Sequence, residues 1–395
     1  MMNDQLRLLQ IKAWCISEMD SIFDVKDDSN HGWLKFKFDY RKAVVNLVLI
    51  ALLIVAFIVA LFMGSYSINP ITTIVILISG IMEWIGGAIV TITGMKIALF
   101  WSIPHTWPAT MDIVIWQVRF PRAIAVVLAG SSLAVSGSVY QGVFRNPLVS
   151  ESILGVSSGA GVGAALAILL SQSSLMVEVW AFGFGLLAAG ATVFISRIYR
   201  SNPTLVMVLA GIIVGSMFSA IISLIKYVAD PYTKLPDITY WLMGSFAHVS
   251  LSNDILMAPI VVIFLSLIIL LRWRINVLSM GDEEARSMGI DVKRLTLLLV
   301  LCATMLTAAA VCVGGVISWV GLIIPHIARM IVGPDHMNVI IASMLIGGSF
   351  LLVVDLICRT IISVEIPISV VTSLLGAPIF LVLLYRVYQS KEAWA

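Results

Sequence analysis

The sequence has very few charged residues for its length. Of its 395 residues, 12% are charged and 60% are hydrophobic, whereas an average soluble domain is about 25% charged. A soluble fold of this size could not hide so much apolar surface and still present a wettable exterior. A bilayer removes the difficulty because lipid is the solvent of the outer face. The composition therefore predicts an all-α polytopic membrane protein in contact with lipid, and the net charge of +2 gives no indication of nucleic-acid binding.

Motifs of catalysis and of metal binding are also missing. No G-x-x-x-x-G-K-[ST] occurs, which excludes a P-loop nucleotide site, and neither H-E-x-x-H nor G-x-S-x-G is present. The five histidines are scattered and the four cysteines have no C-x-x-C spacing, so we expect no metal site and interpret the cysteines as small buried hydrophobes. No cleavable signal peptide is evident. We therefore predict neither an enzyme nor a resident cofactor.

Ionisable residues within the apolar runs are scarce. The candidates Glu178, Asp355 and Glu365 all lie near the ends of predicted spans. An ion-coupled transporter usually needs such a residue inside the membrane, where the coupling ion or proton binds. Asp355 precedes Arg359 by four residues, a spacing that indicates a local ion pair on one helix face. A transporter without an ATP site or a coupling-ion site must take its energy from a partner. The rival is an ion-coupled secondary transporter or channel that acts without an ATPase.

Ten apolar runs predict about ten membrane-spanning helices. Most approach the roughly 20 residues that cross about 30 Å of hydrocarbon, and the shorter run 321–332 predicts a half-length helix. The other runs are 43–63, 122–143, 152–170, 177–196, 204–228, 255–271, 295–313, 339–357 and 368–385. The stretch 71–94 is also apolar, but we interpret it as short helices packed on the outer face because Pro70 and the Gly86-Gly87 pair interrupt it.

The distribution of positive charge predicts that both termini are cytoplasmic, in the inner membrane of the cell. With this orientation thirteen Lys and Arg residues of the loops and helix ends face the cytoplasm and six face outward, the bias that cytoplasmic loops show. The chain then divides into a cytoplasmic N-terminal extension (1–42), a membrane domain (43–386) with a long external segment (64–118), and a cytoplasmic tail (387–395). The extension fits either an amphipathic helix on the membrane surface or an unstructured tail.

The most charged stretch after the N-terminal extension is the predicted cytoplasmic loop 272–294. Within it, GDEEARSMG (281–289) places three acids before Arg286. That order suits a short helix, since carboxylates are favourable at the N-terminal end of a helix, and Gly289 is a natural stop. The segment is either a surface against which a cytoplasmic partner pushes or an ordinary solvated loop.

Three arginines lie on the expected outer side, against the charge trend. Arg119 and Arg122 flank Pro121, where the chain enters the second predicted span, and Arg359 lies at the outer end of a later span. Guanidinium groups bind carboxylates with two-pronged geometry, so the three fit a docking site for an acidic patch on an external soluble protein. Snorkelling of the side chains to lipid headgroups explains them equally well.

Small residues are concentrated in three runs. Faces of Gly, Ala and Ser let helices approach closely in lipid. These faces serve packing alone, or they also leave room for a path between helices. The runs are GSSLAVSGS (130–138), GVSSGAGVGAA (155–165) and AGIIVGS (210–216).

Several longer motifs follow one another in a familiar order. They are R-x-P-R from Arg119, A-x-S-G-x-x-x-Q ending at Gln141, the N-P-L loop from Asn146, L-G-V-S-x-G-A from Leu154, YWLMGSF (240–246), GDEEARSMGI (281–290), GGVISWVGLIIPHIAR (314–329) and EIPISVVTSLLGAPIFLVLL (365–384). From about 119 to 386 the chain resembles the FecCD-type permeases of ABC importers for ferric siderophores, haem and vitamin B12.

This resemblance implies an assembly and roles for individual residues. The fold would be vitamin-B12-permease-like, with ten helices in each copy of a homodimer or pseudo-symmetric dimer. The partners would be two ABC ATPase subunits and a periplasmic or lipid-anchored substrate-binding protein. Coupling to the ATPase would use Gly281, Asp282, Glu283, Glu284, Ala285, Arg286, Ser287, Met288 and Gly289. Docking of the binding protein would use Arg119, Arg122 and Arg359. The translocation path would follow 204–228, at Leu209, Gly211, Gly215, Ser216, Ser219 and Ser223.

The function implied is ATP-driven import of a metal chelate such as a ferric siderophore, haem or cobalamin. Family members also move small oxyanions such as molybdate. No catalytic residue is expected, because ATP hydrolysis would belong to the partner. The extension 1–42 and the apolar segment 64–118 are longer than the family core needs, and neither contains a recognisable motif.

Overall fold

The computed structural model describes residues 40–93, 106–198, 203–362 and 364–389. In these residues the chain forms helices and no strands, as predicted. The helices are α1 (Tyr40–Phe62), α2 (Pro70–Thr93), α3 (Ala109–Phe144), α4 (Val156–Leu169), α5 (Ser174–Ile198), α6 (Pro203–Val228), α7 (Lys234–Met243), α8 (Leu251–Met280), α9 (Asp282–Ser287), α10 (Val292–Gly314), α11 (Val320–Val332), α12 (His336–Thr360) and α13 (Ile368–Gln389). The predicted amphipathic pattern of the N-terminal extension and most of the tail lie outside the described residues.

All ten apolar runs form helices, within a few residues of the predicted bounds except where α3 and α8 begin earlier and α8 ends later. Seven helices of the described residues are long and apolar enough to cross a membrane, namely α1, α3, α5, α6, α8, α10 and α12. Among the shorter ones, α11 has 13 residues and confirms the half-length helix predicted at 321–332. Length and composition alone do not say which short helices cross, so the count of ten spans stays a prediction.

Helix α3 lies at the centre of the bundle. Every residue from 129 to 144 is buried, and small side chains make this possible. A Cβ at Gly137 would overlap the carbonyl oxygen of Gly321 in α11, and a Cβ at Gly130 would overlap that of Gly347 in α12. The small-residue run of α3 therefore serves close packing, as such faces do between helices in lipid.

The stretch 71–94 corrects one expectation, because it forms one continuous helix instead of short pieces. Helix α2 has 24 residues, with Pro70 as its first residue and Gly86 and Gly87 inside it. Proline suits the first helical position, where its missing N–H has no helical partner. In an apolar setting the backbone stays helical even at glycine, because every N–H and C=O group needs an internal partner.

The first half of α2 packs on the first turns of α3. A Cβ at Gly80 would overlap the indole ring of Trp116. Ile68, Ile76 and Ile115 form a small buried cluster between the two elements. This part of the external segment is therefore attached to the end of the bundle at which α3 begins.

Helix α3 also begins earlier than the run 122–143 predicts. It starts at Ala109 and contains a π-helical turn, Val114–Arg119, immediately before Pro121. A proline inside a helix lacks one hydrogen-bond donor and its ring crowds the preceding turn. The wider π turn relieves this conflict and lets the helix continue. Arg119 and Arg122 consequently lie inside a helix and not at its entrance.

The predicted loop 272–294 begins as helix. Helix α8 has 30 residues, about 45 Å at 1.5 Å per residue, and its last nine residues belong to that stretch. Arg272 donates from Nη1 to the carbonyl oxygen of Met337 at 3.1 Å, and the backbone N–H of His336 donates to Oδ1 of Asn276 at 3.2 Å. These bonds hold the last turns of α8 against the start of α12.

Candidate functional site

Helices α8 and α10 are joined by a segment that we name the elbow (residues 281–289). Its helix α9 ends in a Schellman motif. The N–H of Ile290 donates to the carbonyl oxygen of Ala285 at 3.0 Å, and the N–H of Gly289 donates to that of Arg286 at 2.9 Å. Gly289 has a φ of +79°, which favours glycine. The short helix and its glycine stop, both predicted from the sequence, are confirmed.

The elbow has a buried side and an exposed side. Ala285 is fully buried, which attaches α9 to the bundle. Met288 leaves 53% of its surface exposed, at the C-terminal end of α9. The other exposed residues of the elbow are Glu283, Glu284, Arg286, Ser287 and Gly289. The carboxylates at the start of α9 complement the helix dipole, so the elbow presents a structured surface of mixed charge.

The elbow touches the C-terminal end of α3. Arg145 ends α3 in the left-handed conformation, with a φ of 50°, and its guanidinium is ion-paired with Asp282. Arg122 lies 23 residues earlier in α3, about 35 Å away at 1.5 Å per residue. We name that opposite end of the bundle the arginine end, after Arg119, Arg122 and Arg359.

At the arginine end, Arg119 caps the last turn of α1. Its Nη1 donates to the carbonyl oxygens of Leu61 at 2.8 Å and Phe62 at 2.9 Å, and its Nη2 donates to that of Tyr66. Carbonyl groups at a helix C-terminus have no partner within the helix. Arg119 therefore satisfies acceptors that would otherwise be unpaired in an apolar setting.

Arg122 joins two carboxylates at the same end. Its Nε and Nη2 donate to Oδ1 of Asp355 at 2.9 and 2.8 Å, and its Nη1 and Nη2 donate to the two oxygens of Glu365 at 2.6 and 3.0 Å. Asp355 also pairs with Arg359 at 3.2 Å, which confirms the ion pair predicted from their spacing. Arg359 donates to the carbonyl oxygen of Ala60 at 2.7 Å. This network ties α1, α3, α12 and the loop before α13 together.

The structure buries the three arginines, whereas a docking surface or snorkelling side chains would be exposed. The exposed fractions of Arg119, Arg122 and Arg359 are 3%, 6% and 6%, and each bonds to internal acceptors. Buried charges are tolerated only with such partners, so neither snorkelling nor an open docking surface describes the arginines here. Glu365, with 28% of its side chain exposed, is the member of the network that reaches the surface. Docking at these arginines stays a prediction.

The six predicted path residues lie on two faces of α6. Four of them are exposed in the single chain: Leu209, Ser216, Ser219 and Ser223. A Cβ at Gly211 would overlap the carbonyl oxygen of Ile153, and a Cβ at Gly215 would lie 3.8 Å from Cα of Gly155. Gly211 and Gly215 therefore pack against the segment 145–155 in this structure and do not share the face of the other four.

Sequence reasoning missed a buried polar cluster beside the segment 145–155. Gln141 donates from Nε2 to the carbonyl oxygen of Val149 at 3.1 Å, and its Oε1 accepts from Arg329. The carboxyl of Glu151 is buried next to them, and its Oε2 has no hydrogen-bond partner. The available signal was a polar residue inside an apolar run, which Gln141 provides in its motif.

A cavity of about 390 Å³ opens between the end of α4, the start of α5 and α7. Its charged or titratable lining consists of Glu178, Lys234, Asp237, Tyr240, His248 and Cys312. No group of three or more His, Cys, Asp or Glu side chains within the described ranges could hold a metal ion. The cavity is separate from the exposed residues of α6 named above.

A comparison with protein families matches residues 52–386 to the FecCD transport family. The chain belongs to the FecCD transport family. The match covers α2 to α12, the second half of α1 and most of α13, and therefore the elbow, the arginine end and α6. This FecCD protein is an ABC importer permease, a membrane subunit and not an enzyme, and in this family ATP is hydrolysed by a separate subunit.

Individual relatives cover most of the FecCD chain. The Molybdate import system permease protein MolB of Haemophilus influenzae is 41% identical over 276 residues, which are 69% of this chain and 81% of the relative. A Probable iron chelatin transport system permease protein of Helicobacter pylori is 40% identical over 282 residues, 70% of this chain and 84% of the relative. The Cobalamin import system permease protein BtuC of Halobacterium salinarum is 37% identical over 320 residues, 80% and 84% of the two chains.

A solved structure agrees in fold. It is described as an inward-facing conformation of a metal-chelate type ABC transporter, and it is 34% identical with a TM-score of 0.74. The alignment covers 87% of the FecCD chain and 99% of the solved chain. At this identity the likeness extends the family assignment to the three-dimensional arrangement of the helices.

Proposed function

We propose that two copies of this permease carry a metal chelate across the cytoplasmic membrane, with ATPase subunits at the elbow and a binding protein at the arginine end. The observation that carries the proposal is the elbow itself. A short, capped helix stands exposed at one end of a membrane bundle, held by a buried alanine and an ion pair to α3. Family membership favours this function over the rival ion-coupled transporter.

The orientation is supported by charge. Arg145, Arg272, Arg274 and Arg286 lie at or near the elbow end, which the excess of positive residues in cytoplasmic loops would place inside. The arginine end then faces outward. Its exceptional arginines are used internally, to cap α1 and to pair with carboxylates, so they do not contradict this orientation.

The elbow suits an ATPase groove in shape and in chemistry. Its exposed carboxylates and Arg286 offer charged partners on both sides of α9, and Met288 offers an apolar contact at its end. Since the Schellman motif fixes the helix before a partner binds, little conformational entropy would be lost on docking. Residues Gly281 to Gly289 are accordingly proposed as the coupling surface.

The arginine end suits an acidic partner through its excess of positive charge. Three guanidinium groups and two carboxylates lie at this end, which leaves a net charge of +1 among these five side chains. Arg122 already binds Glu365 with two hydrogen bonds, and Glu365 is partly exposed. A carboxylate of a binding protein would therefore approach Arg122 by replacing or flanking Glu365, while Arg119 and Arg359 stay buried as supports.

The exposed face of α6 suits a path between two copies. Leu209, Ser216, Ser219 and Ser223 project from it, and its other exposed residues are apolar, including Ile212, Ile213 and Met217. An apolar wall with scattered hydroxyl groups suits a bulky chelate whose charges are internally balanced. The molybdate permease relative supports an oxyanion as the second candidate substrate.

The test is transport by the complete system. The permease is reconstituted in proteoliposomes with its ATPase and binding-protein partners, and uptake of labelled cobalamin, ferric siderophore, haem and molybdate is measured with and without ATP. We expect ATP-dependent uptake of one chelate, abolished by an ATPase variant that cannot hydrolyse ATP. Uptake by the permease alone would overturn the proposal, and ATP-dependent uptake of molybdate alone would select the second substrate.

A further inference from the structure

We propose that residues 145–155, which we name the strut, transmit movement of the elbow to α6. The proposal rests on the proposed function, in which the elbow meets the ATPase and α6 borders the path. The strut connects the end of α3 to the start of α4. It touches the elbow at its first residue and α6 near its last.

The contact between the strut and the elbow is a partly exposed ion pair. The side chains of Arg145 and Asp282 are 38% and 41% exposed. A pair of this kind contributes only about 0.2–1 kcal/mol. The pair therefore orients the elbow on the strut while adding little to the stability of the chain.

The strut itself is held by internal hydrogen bonds. The N–H of Asn146 donates to the carbonyl oxygen of Gln141 at 3.2 Å, and the N–H of Val149 donates to that of Asn146 at 3.3 Å. The N–H of Leu148 donates to Oδ1 of Asn146 at 3.0 Å. The Gln141 side chain binds Val149 and is itself fixed by Arg329. Gln141 Nε2 also lies 3.3 Å from the carbonyl oxygens of Gly321 and Leu322 at the start of α11. Bonds around buried Gln141 are costly to break, so the strut moves as one body with α11.

The far end of the strut lies directly on α6. The carbonyl oxygen of Ile153 occupies the space that a side chain at Gly211 would need, and Gly155 has a φ of +76° that lets its backbone approach Gly215. The carbonyl oxygen of Leu154 accepts a hydrogen bond from Thr192 of α5 at 3.0 Å. The strut therefore meets α6 by backbone-to-backbone contact, with no flexible side chain between them.

This arrangement explains how a small displacement could reach the path. Close-packed interiors are poorly compressible and transmit strain. A contact without intervening side chains leaves no rotamer change to absorb a shift of the strut. When the elbow moves Arg145, the strut then pushes or releases α6 at Gly211 and Gly215.

Two matched glycine-to-alanine substitutions test the contact. Gly211→Ala places a methyl group where the carbonyl oxygen of Ile153 lies, whereas Gly183→Ala in α5 adds a methyl group that has no neighbour within 4 Å. In the reconstituted complex we expect Gly211→Ala to keep ATP hydrolysis but to transport about tenfold less substrate per ATP, a size typical of coupling between two sites. Gly183→Ala should match the unaltered protein. Equal transport per ATP in both variants would refute the strut.

A charge exchange between two partly exposed side chains tests the elbow contact, and it covers the case in which Gly211→Ala does not assemble. Arg145→Asp and Asp282→Arg should each lower transport per ATP, and the double variant should restore it. Restoration is the readout that a merely structural role of either residue would not give. A double variant no better than the single variants would refute the proposal.

Failure of the strut can be told apart from failure of the proposed function. Met288→Asp alters the exposed end of the elbow, where the ATPase should bind. If it leaves ATPase binding and its stimulation by the loaded binding protein unchanged, the elbow is not the coupling surface and the proposed function is wrong. If it abolishes ATPase binding while Gly211→Ala keeps normal transport per ATP, only the proposal for the strut is wrong.

Discussion

Arg122 and Asp355 are joined by two hydrogen bonds to one carboxylate oxygen, Nε to Oδ1 at 2.9 Å and Nη2 to Oδ1 at 2.8 Å. The residues are 233 positions apart in the sequence, and the side chain of Asp355 is 1% exposed. Asp355 also pairs with Arg359. One carboxylate therefore compensates two buried guanidinium groups.

Removing the carboxylate of Asp355 should strongly destabilise the folded protein. Asp355→Ala leaves two buried cations short of a partner, and losing one side of a buried ion pair costs about 3–5 kcal/mol. We expect a free energy of unfolding lower by this amount, measured by denaturant titration in detergent. Asp291→Asn is the control, because the pair of Asp291 with Arg294 is exposed and such pairs contribute at most about 1 kcal/mol. Equal losses in the two variants would contradict the network.

The glycines of α3 offer a second prediction. Gly137→Ala places a methyl group against the backbone of Gly321, so α3 and α11 must separate. Overpacking of this kind costs typically 1–3 kcal/mol, and we expect a lower unfolding temperature and less protein in the membrane. Gly190→Ala in α5 is the control, since its Cβ would have open space and alanine favours helix. A stable Gly137→Ala protein would show that the packing is looser than described.

Binding of the ATPase to the elbow should depend on the backbone conformation of Gly289. Gly289 has a φ of +79° and open space around it, so Gly289→Ala should suffer from strain alone, on the order of 1–2 kcal/mol. Gly289→Asn should lose less, because asparagine tolerates the left-handed conformation. Binding of the ATPase to the purified permease measures the effect. Equal affinities of the two variants would mean that the Schellman turn does not shape the coupling surface.

Glu151 in the strut predicts a dependence of stability on pH. Burial raises the pKa of its carboxyl to about 7, against backbone hydrogen bonds that lower it. Since the pKa in the folded state exceeds the usual 4.5, the folded protein binds the extra proton, and stability falls as pH rises from about 4.5 to 7. The full effect is on the order of 3 kcal/mol.

The substitution Glu151→Gln removes the titrating group. We expect the variant to be more stable than the unaltered protein at pH 8 and to show a flatter dependence between pH 5 and 8. Thermal unfolding at a series of pH values measures this. An unchanged slope would show that Glu151 does not titrate in this range.

Much of the local structure could be predicted from the sequence because its causes are local. Apolar length marked ten helices, and the order of acids, Arg286 and Gly289 marked the helix of the elbow and its end. The spacing of Asp355 and Arg359 marked their ion pair. Two local signals misled: the second span was predicted to begin next to Pro121, and Pro70 with the Gly86-Gly87 pair was predicted to interrupt the stretch 71–94. A π turn and the demand for internal hydrogen bonds make both helices longer and continuous.

The tertiary structure decided which groups meet across the bundle. In sequence, Arg119 and Arg122 were cations without partners, since Leu61, Glu365 and Asp355 are distant along the chain. Gly211 and Ser216 were equally small residues of one apolar run. Only the packed structure shows that Gly211 lies against the strut and that Ser216 lies on the exposed face of α6. The sequence alone determined that the chain is helical, belongs in lipid and lacks a P-loop, because these follow from composition and local pattern. The hydrogen-bond partners of the arginines and the exposed face of α6 depend on contacts between residues distant in sequence. Those contacts form only when the helices pack.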